Sequence, residues 1–290
     1  MQIRMQLQSH STRARPVKPA TFIKYSALGQ ALRTIWKEEG IKASPVGLYK
    51  GNLSAEYLYL SYSAVEFWAY KEFELALENM DSSQQLPKTS KAFVAGMLAG
   101  STATTVTYPF DLLRTRFAMQ GTKKYYTSIL QACGLIHETE GLRGFYRGLW
   151  PAILQIMPYM GLVFASYDAI AGTFKKWRDD GTLSPSHKPM HDMISGALSG
   201  IIGKTTIYPM DVVRKRFQVQ GPLRNEYVIG SIPEYSRLSW FSCLKEIAKQ
   251  EGLRGWYKGL APSLVKVAPS VAVTFVVFEQ TKQGLLWLKD

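Results

Sequence analysis

Four charged side chains lie inside or at the edge of otherwise uncharged stretches of this 290-residue sequence. Two are cations, Lys204 and Lys266, and two are carboxylates, Glu56 and Glu66. A charge in a long apolar segment is costly unless it faces water, an opposite charge or a ligand. Lysines donate charge-assisted hydrogen bonds to phosphate oxygens, whereas carboxylates accept hydrogen bonds from amines. The four residues therefore indicate a polar cavity for a ligand that carries charges of both signs.

Tyrosines accompany these charges along the sequence. Tyr57, Tyr59 and Tyr62 follow Glu56, and Tyr159 lies in another uncharged stretch. Because an aromatic face attracts a cationic ring, the whole set suits a zwitterionic aromatic phosphate. The alternative for each tyrosine is a packing or pore-lining position without ligand contact.

A proline–acid–base pattern occurs twice. Asp111 and Arg114 are three residues apart after one proline, and Asp211 and Arg214 repeat this spacing after another. Residues three apart share a face of a helix, and proline kinks the helix that contains it. Each pair is therefore predicted to meet opposite charges on a neighbouring helix, the alternative being that these charges are solvated helix ends.

Both patterns belong to longer repeated phrases, and these phrases predict the architecture. PFDLLRTR (109–116) is echoed by PMDVVRKR (209–216), and EGLRGFYRG (140–148) by EGLRGWYKG (251–259). Residues 39–51 hold an interrupted third copy of the second phrase. The sequence thus predicts three repeats, of which the first lacks its opening helix. The predicted repeats are residues 1–85, 86–183 and 184–290.

Charge and hydropathy together indicate a membrane protein. The formal net charge is +13 and 46% of the residues are hydrophobic. Lys and Arg cluster between long apolar segments, as at membrane flanks, and this disfavours a nucleic-acid-binding role. The Gly, Ser, Thr and Tyr content of these segments predicts one polar face that lines a cavity. Five stretches with at most one charged residue mark the candidate membrane spans, namely residues 51–65, 92–110, 148–167, 193–210 and 259–278.

The second repeat shows the predicted plan of helices. A helix from Lys88 is expected to bend at Pro109 and to end near Gln120. Residues 127–139 have apolar side chains at helical spacing and predict a short helix on the membrane surface. A second span is expected over residues 148–177.

Small residues four apart recur on the first span of each complete repeat. Gly96 and Gly100 form one such pair, and Gly196 and Gly200 form the other. This spacing predicts close packing of neighbouring helices.

The sequence does not favour an enzyme. Cys133 and Cys243 fall at matching places in amphipathic stretches, which predicts buried thiols rather than a disulfide or a metal site. There is no phosphate loop, nucleophile elbow or Cys/His spacing typical of a metal site. No catalytic residue, metal or cofactor is therefore predicted.

The repeated phrases resemble the signature of the mitochondrial carrier family, and the resemblance extends over the whole chain. It implies an all-α membrane protein, a three-fold pseudo-symmetric helical bundle with three surface helices on the matrix side. Five of its six transmembrane helices would be present. Carriers of this family open one central site alternately to the cytoplasm and to the matrix. The resemblance further implies a monomeric, multi-pass protein of the mitochondrial inner membrane that binds cardiolipin but no nucleic acid.

The resemblance also implies a gate of salt bridges at the matrix mouth. Its residues would be Asp111, Arg114, Asp211 and Arg214, with Gln2 at the place of a third base. By the family's pairing scheme, only the bridge from Asp111 to Arg214 remains of three.

A second gate is implied at the cytoplasmic mouth, on the second helix of each repeat. The third repeat matches the family's acid–base pattern fully, whereas Ala171 replaces the base of the second repeat and the first repeat has its charges reversed. This gate is therefore predicted to be weak. Its residues are Lys71, Glu74, Asp168, Glu279 and Lys282.

The family places its main substrate contacts before these acidic gate positions. The residues there are Tyr59, Gln155, Ile156, Lys266 and Val267. They join Lys204 and Glu56 as the predicted substrate-binding set.

Four longer segments resemble the thiamine pyrophosphate carriers within this family, namely residues 49–67, 100–118, 155–167 and 208–228. The resemblance implies thiamine pyrophosphate as the transported substrate, not as a cofactor. Two lysines would hold the diphosphate, a carboxylate would accept from the aminopyrimidine, and a tyrosine would face the thiazolium. The alternatives are a carrier of adenine nucleotide or coenzyme A, and a truncated carrier that no longer transports.

Overall fold

Long helices dominate the computed structural model, which describes residues 2–8, 28–40, 50–80, 87–121, 124–180, 188–228, 232–235 and 238–266. Within these ranges every regular element is a helix. The α-helices are α1 (Gln2–Leu7), α2 (Leu28–Ile35), α3 (Asn52–Met80), α4 (Lys88–Met119), α5 (Ile129–Glu140), α6 (Leu142–Phe145), α7 (Leu149–Leu154), α8 (Ile156–Asp179), α9 (Lys188–Gln218), α10 (Trp240–Glu251) and α11 (Leu260–Val265). A π-helix spans Trp36–Gly40, and 3₁₀ turns span Pro222–Glu226 and Leu253–Tyr257.

Four helices, α3, α4, α8 and α9, form the framework. They contain 29, 32, 24 and 31 residues. At about 1.5 Å per residue, each is long enough to cross a hydrocarbon core of about 30 Å. Helix α3 packs along α4, and α8 packs along α9. Each packed pair joins the second long helix of one predicted repeat to the first of the next.

One described stretch, Leu142–Asp179, is long and apolar enough to be recognised as a membrane span from length and composition alone. Helices α3, α4 and α9 have the length but contain more polar side chains. Hydropathy averages all sides of a helix, so a polar face on a cavity masks an apolar face on lipid. The predicted span at 259–278 is described only as far as Lys266.

A close approach between α8 and α9 occurs at Gly203. A Cβ atom there would lie 2.6 Å from Val163 Cγ2 and 3.3 Å from the ring of Tyr159, so only glycine fits without a shift. A Cβ atom at Gly96, Gly196 or Gly200 would meet no described atom within 4 Å. At Gly100, a Cβ atom would lie 3.7 Å from Tyr62 Oη, which is ordinary contact. In the described part of the chain, the tightest approach of long helices at a glycine is therefore outside the predicted pairs.

A left-handed glycine recurs at the same place in each repeat. The φ angles of Gly51, Gly148 and Gly259 are 80°, 84° and 83°, a region that favours glycine over other residues. Helices α7 and α11 start after the second and third of these glycines, and each ends in a cap of right-handed helical backbone, Gln155 and Lys266. Gln155 and Lys266 thus hold equivalent positions.

Helix α1 contacts the bundle as the end of α4 does. Arg4 donates to the carbonyl oxygen of Gln120 at 3.0 Å, and Arg116 donates to the carbonyl oxygen of Gln220 at 2.9 Å. Each arginine therefore links its own helix to the end of the next repeat's first long helix.

Buried carboxylates attach the surface helices α5 and α10 to the ends of α4 and α9. Glu140 accepts from Arg116 Nη1 and Nη2 at 2.5 and 2.9 Å. Glu251 accepts from Arg216 Nη2 at 2.8 Å and from Lys258 Nζ at 2.5 Å. Both carboxylates are at most 2% exposed, so each depends on its cations for solvation.

Replacing Glu251 by glutamine is expected to lower the free energy of unfolding at pH 7 by about 3–5 kcal/mol, because Arg216 then stays buried without a counter-charge. Burial alone would raise the pKa of Glu251, but hydrogen bonds and positive charges from Arg216 and Lys258 hold it below its usual value. A lowered pKa gives stability that is present above the unfolded-state pKa of about 4.3 and lost as pH falls through the folded-state pKa.

Thermal unfolding in detergent across the range from neutral to acid pH measures both effects. The wild-type protein should lose stability below about pH 4 more steeply than E251Q. Glu138→Gln, at an exposed glutamate of α5, is the matched control and should leave both the midpoint and its pH dependence unchanged. Parallel curves for E251Q and the wild type would refute the assignment.

The two cysteines are expected to react at different rates. Cys243 is fully buried, as predicted, whereas Cys133 is partly exposed. Burial raises the pKa of the Cys243 thiol to about 12, and it also raises the pKa of Cys133. Because access and thiolate content set alkylation rates, a maleimide should modify Cys133 at least about tenfold faster. Timed labelling with mass spectrometry measures both rates; equal rates in the folded protein would contradict this, and unfolded protein serves as the control.

Candidate functional site

A buried carboxylate, Asp111, closes one end of the bundle between α4 and α9. Its oxygens lie 2.9 Å from Arg214 Nη2 and 3.1 Å from Lys215 Nζ, and Gln218 Nε2 also donates to it. The Asp111 side chain is 8% exposed. Two cations and an amide from the third repeat therefore converge on one carboxylate of the second, and hold the two repeats together at what we call the Asp111 end.

Asp211 occupies the equivalent place in the third repeat but has a different partner. It forms an ion pair with Lys204 of its own helix. The predicted substrate lysine at 204 is therefore occupied by a carboxylate in this conformation.

Gln155 connects the two acid–base pairs. With its amide oriented to suit both neighbours, its nitrogen donates to Asp211 Oδ1 at 3.0 Å and its oxygen accepts from Arg214 Nη1 at 3.3 Å. A predicted substrate contact and two predicted gate residues thus meet at the junction of α7, α8 and α9.

Arg114 contacts a tyrosine. Its Nη1 donates to Tyr59 Oη at 3.0 Å, and its guanidinium carbon lies 5.2 Å from the centre of the tyrosine ring. A predicted gate residue and a predicted substrate contact are therefore neighbours across the packed helices α3 and α4.

Lys266 is exposed at the end of α11 and forms no hydrogen bond or ion pair with a described residue. Its equivalent, Gln155, reaches two charged side chains at the junction of α7, α8 and α9. Ile156 follows Gln155 and faces Gly100, where a Cβ atom would lie 3.8 Å from Ile156 Cγ2. Val267, Glu279 and Lys282 lie outside the described residues.

Two of the carboxylates of α3, Glu56 and Glu66, accept hydrogen bonds from their own helix. Asn52 Nδ2 donates to Glu56 at 3.3 Å, and Tyr62 Oη donates to Glu66 at 3.3 Å. Tyr57 stacks on Phe110 of α4, with ring centres 6.0 Å apart. Glu56 is exposed and can accept a further hydrogen bond.

The described residues of the predicted cytoplasmic gate, Lys71, Glu74 and Asp168, lie toward the end of the bundle opposite Asp111. Lys71 lies 3.9 Å from Glu74 on the same helix, and Asp168 has no hydrogen bond or ion pair with a described residue. The structure does not bring Lys71 and Asp168 together, so no described salt bridge crosses this end.

Several charged residues of these contacts were not among the predicted site residues. Arg116 with Glu140, and Arg216 with Glu251, are the most buried. The repeated motifs could have identified them. Each arginine is the last residue of the first motif (109–116 and 209–216), and each glutamate is the first residue of the second motif (140–148 and 251–259). Lys215 had no such signal, because the second repeat has Thr115 at its place.

The chain is similar to known proteins along its whole length. A family model described as "Mitochondrial carrier protein" matches residues 1–81, 86–177 and 185–288. "Mitochondrial thiamine pyrophosphate carrier 1" of Coccidioides immitis (strain RS) is 42% identical over 284 residues, which cover 97% of this chain and 84% of that protein. The protein of the same name from Sclerotinia sclerotiorum is 42% identical over 295 residues, covering 100% and 87%. The one from Aspergillus niger is 41% identical over 281 residues, covering 96% and 83%.

Proposed function

From the fact that this chain belongs to the mitochondrial carrier family, we propose that it transports thiamine pyrophosphate across the mitochondrial inner membrane. Membership confirms the resemblance drawn from the repeated phrases and the all-α carrier fold, and the family consists of transporters. The observation that carries the substrate is the near-full-length similarity to proteins named for this compound. Uptake into the matrix proceeds by alternating access.

The geometry of the charged residues supports an anionic substrate that arrives from the end opposite Asp111. The Asp111–Arg214 contact closes the matrix mouth, while Lys266 is exposed and unpaired among the described residues. Lys266 takes one phosphate of the diphosphate as a charge-assisted donor. Tyr59 and Glu56 on α3 contact the ring system, and Ile156 and Val267 contribute apolar surface beside it.

Lys204 couples substrate binding to the matrix mouth in this proposal. The diphosphate competes with Asp211 for Lys204, because both are anions that can pair with the Lys204 ammonium group. Asp211 and Arg214 share Gln155 as a partner, so releasing Asp211 alters the contacts that Arg214 makes with Asp111. The gate residues Asp111, Arg114, Asp211 and Arg214 then separate as the opposite mouth closes through Lys71, Glu74, Asp168, Glu279 and Lys282.

The resemblance to the family also suggests which lipid the protein binds and its oligomeric state. We propose that the protein works as a monomer and that cardiolipin binds on the membrane surface at Arg147–Gly148 and Lys258–Gly259. A base beside backbone N–H groups is suited to an anionic head group.

Uptake of labelled thiamine pyrophosphate into liposomes that contain the purified protein tests the proposed function. Unlabelled thiamine pyrophosphate should compete well, and ADP and coenzyme A poorly. Protein-free liposomes are the control. Transport of ADP or coenzyme A in preference to thiamine pyrophosphate would refute the proposed substrate but would not affect membership of the family.

A further inference from the structure

A cavity of about 910 Å³ lies between α3, α4 and α8, toward the end of the bundle opposite Asp111. This volume is within the range of about 300–1,000 Å³ that is typical of small-molecule sites. The residues that line it include Tyr70, Ser90, Phe93, Met97, Phe164 and Asp168. The cavity therefore combines aromatic and apolar walls with one carboxylate.

Asp168 is the only carboxylate among the described lining residues, and it has no hydrogen bond or ion pair within the described part of the chain. The nearby cation on α3, Lys71, lies 3.9 Å from Glu74 of its own helix. Among the described residues, this exposed carboxylate at the mouth of the cavity thus has no counter-charge, and an organic cation would supply one.

The walls suit a flat ring. Phe93 and Phe164 come from α4 and α8, with ring centres 6.2 Å apart and planes at 69°. Tyr70 adds a third aromatic side chain from α3. Aromatic faces attract cations at exposed sites as well as at desolvated ones. A cation that is itself an aromatic ring would gain from both the carboxylate and the apolar walls.

We propose that this cavity binds the cationic aromatic half of the transported substrate before its diphosphate reaches the lysines. The inference rests on the proposed function, because thiamine pyrophosphate carries a thiazolium ring at the end opposite its diphosphate. Asp168 pairs with the thiazolium charge, and the aromatic side chains of Phe93, Phe164 and Tyr70 enclose the ring system. We call this the outer site.

The outer site is separate from the level of Gln155, which is the position equivalent to Lys266 and which contacts Asp211, the partner of Lys204. Asp168 lies twelve residues beyond the start of α8 at Ile156, which corresponds to about 18 Å along the helix. This exceeds the separation of ring and diphosphate in one substrate molecule. The substrate therefore occupies the outer site first and then moves inward, where its diphosphate meets Lys266.

Binding of thiamine, which has the cationic ring but no phosphate, tests the outer site without involving the lysines. Affinity is measured calorimetrically on purified protein in detergent, for the wild type, Asp168→Asn and Asp179→Asn. Asp179 is an exposed carboxylate on the same helix and serves as the matched control. The expected result is a roughly five- to tenfold weaker affinity for thiamine in D168N and no change in D179N.

A neutral analogue of thiamine, in which carbon replaces the thiazolium nitrogen, separates recognition of the positive charge from apolar contact between the ring and the cavity walls. It should bind the wild type as weakly as thiamine binds D168N, and its affinity should be the same in both proteins. Equal affinity of thiamine for the wild type and D168N, or equal affinity of the analogue and thiamine for the wild type, would overturn the proposal. The latter result would identify the cavity as a general apolar site, such as one filled by a lipid chain.

Uptake measurements distinguish failure of the outer site from failure of the proposed function. If wild-type protein transports thiamine pyrophosphate but D168N binds thiamine normally, the outer site is wrong and the function stands. If wild-type protein does not transport thiamine pyrophosphate, the function is wrong whatever thiamine binding shows. A weaker gate in D168N would slow all substrates alike, whereas loss of the outer site reduces the preference for the charged ring over its neutral analogue.

Discussion

Replacing Asp111 by asparagine is expected to abolish uptake and to lower the free energy of unfolding by about 3–5 kcal/mol. The substitution leaves Arg214 and Lys215 beside each other in a site that is largely closed to water. It also removes the carboxylate that joins α4 to α9 at the Asp111 end, the proposed matrix mouth. Liposome uptake measures the first effect, and chemical or thermal unfolding in detergent measures the second.

Two further variants make the result for Asp111 specific. Asp179→Asn removes an exposed carboxylate from α8 and should change neither uptake nor stability. Adding Lys215→Met to D111N should recover part of the lost stability, because one of the two uncompensated cations is removed. If D111N unfolds like the wild type, the closing contact at this end does not depend on the charge of Asp111.

Replacing Lys266 by alanine is expected to reduce uptake of thiamine pyrophosphate at least about tenfold, through loss of a charge-assisted hydrogen bond to the diphosphate. Stability should hardly change, because Lys266 is exposed and has no described partner. Lys266→Arg should keep much of the activity, since it keeps the charge. Initial uptake rates over a range of substrate concentrations separate a rise in KM from a fall in maximal rate.

An unpaired surface lysine provides the control for Lys266. Lys175, exposed on α8, is outside both proposed sites, and Lys175→Ala should transport like the wild type. Unchanged uptake by K266A would remove Lys266 from the site. Loss of uptake together with loss of stability would assign it a structural role.

Local signals in the sequence predicted the helices well. The helix predicted from Lys88 to about Gln120 is α4, which ends at Met119, and the surface helix predicted over 127–139 is α5 at Ile129–Glu140. Apolar spacing and the effect of a proline act over a few residues, so they can be read directly. The prediction of one continuous second span over residues 148–177 was less accurate, because the chain there is divided at Gln155 into α7 and α8.

By itself, the sequence determined the family and the all-α carrier fold, because repetition and spacing are properties of the chain alone, and it predicted most of the charged residues that form the contacts at the Asp111 end. Which of these charges meet was decided only by the tertiary structure. Asp211 pairs with Lys204, Arg114 contacts Tyr59, and Lys215 joins Arg214 at Asp111. The physical reason is that the rotation and separation of packed helices select each partner, and a few ångströms decide whether a buried charge has a counter-charge.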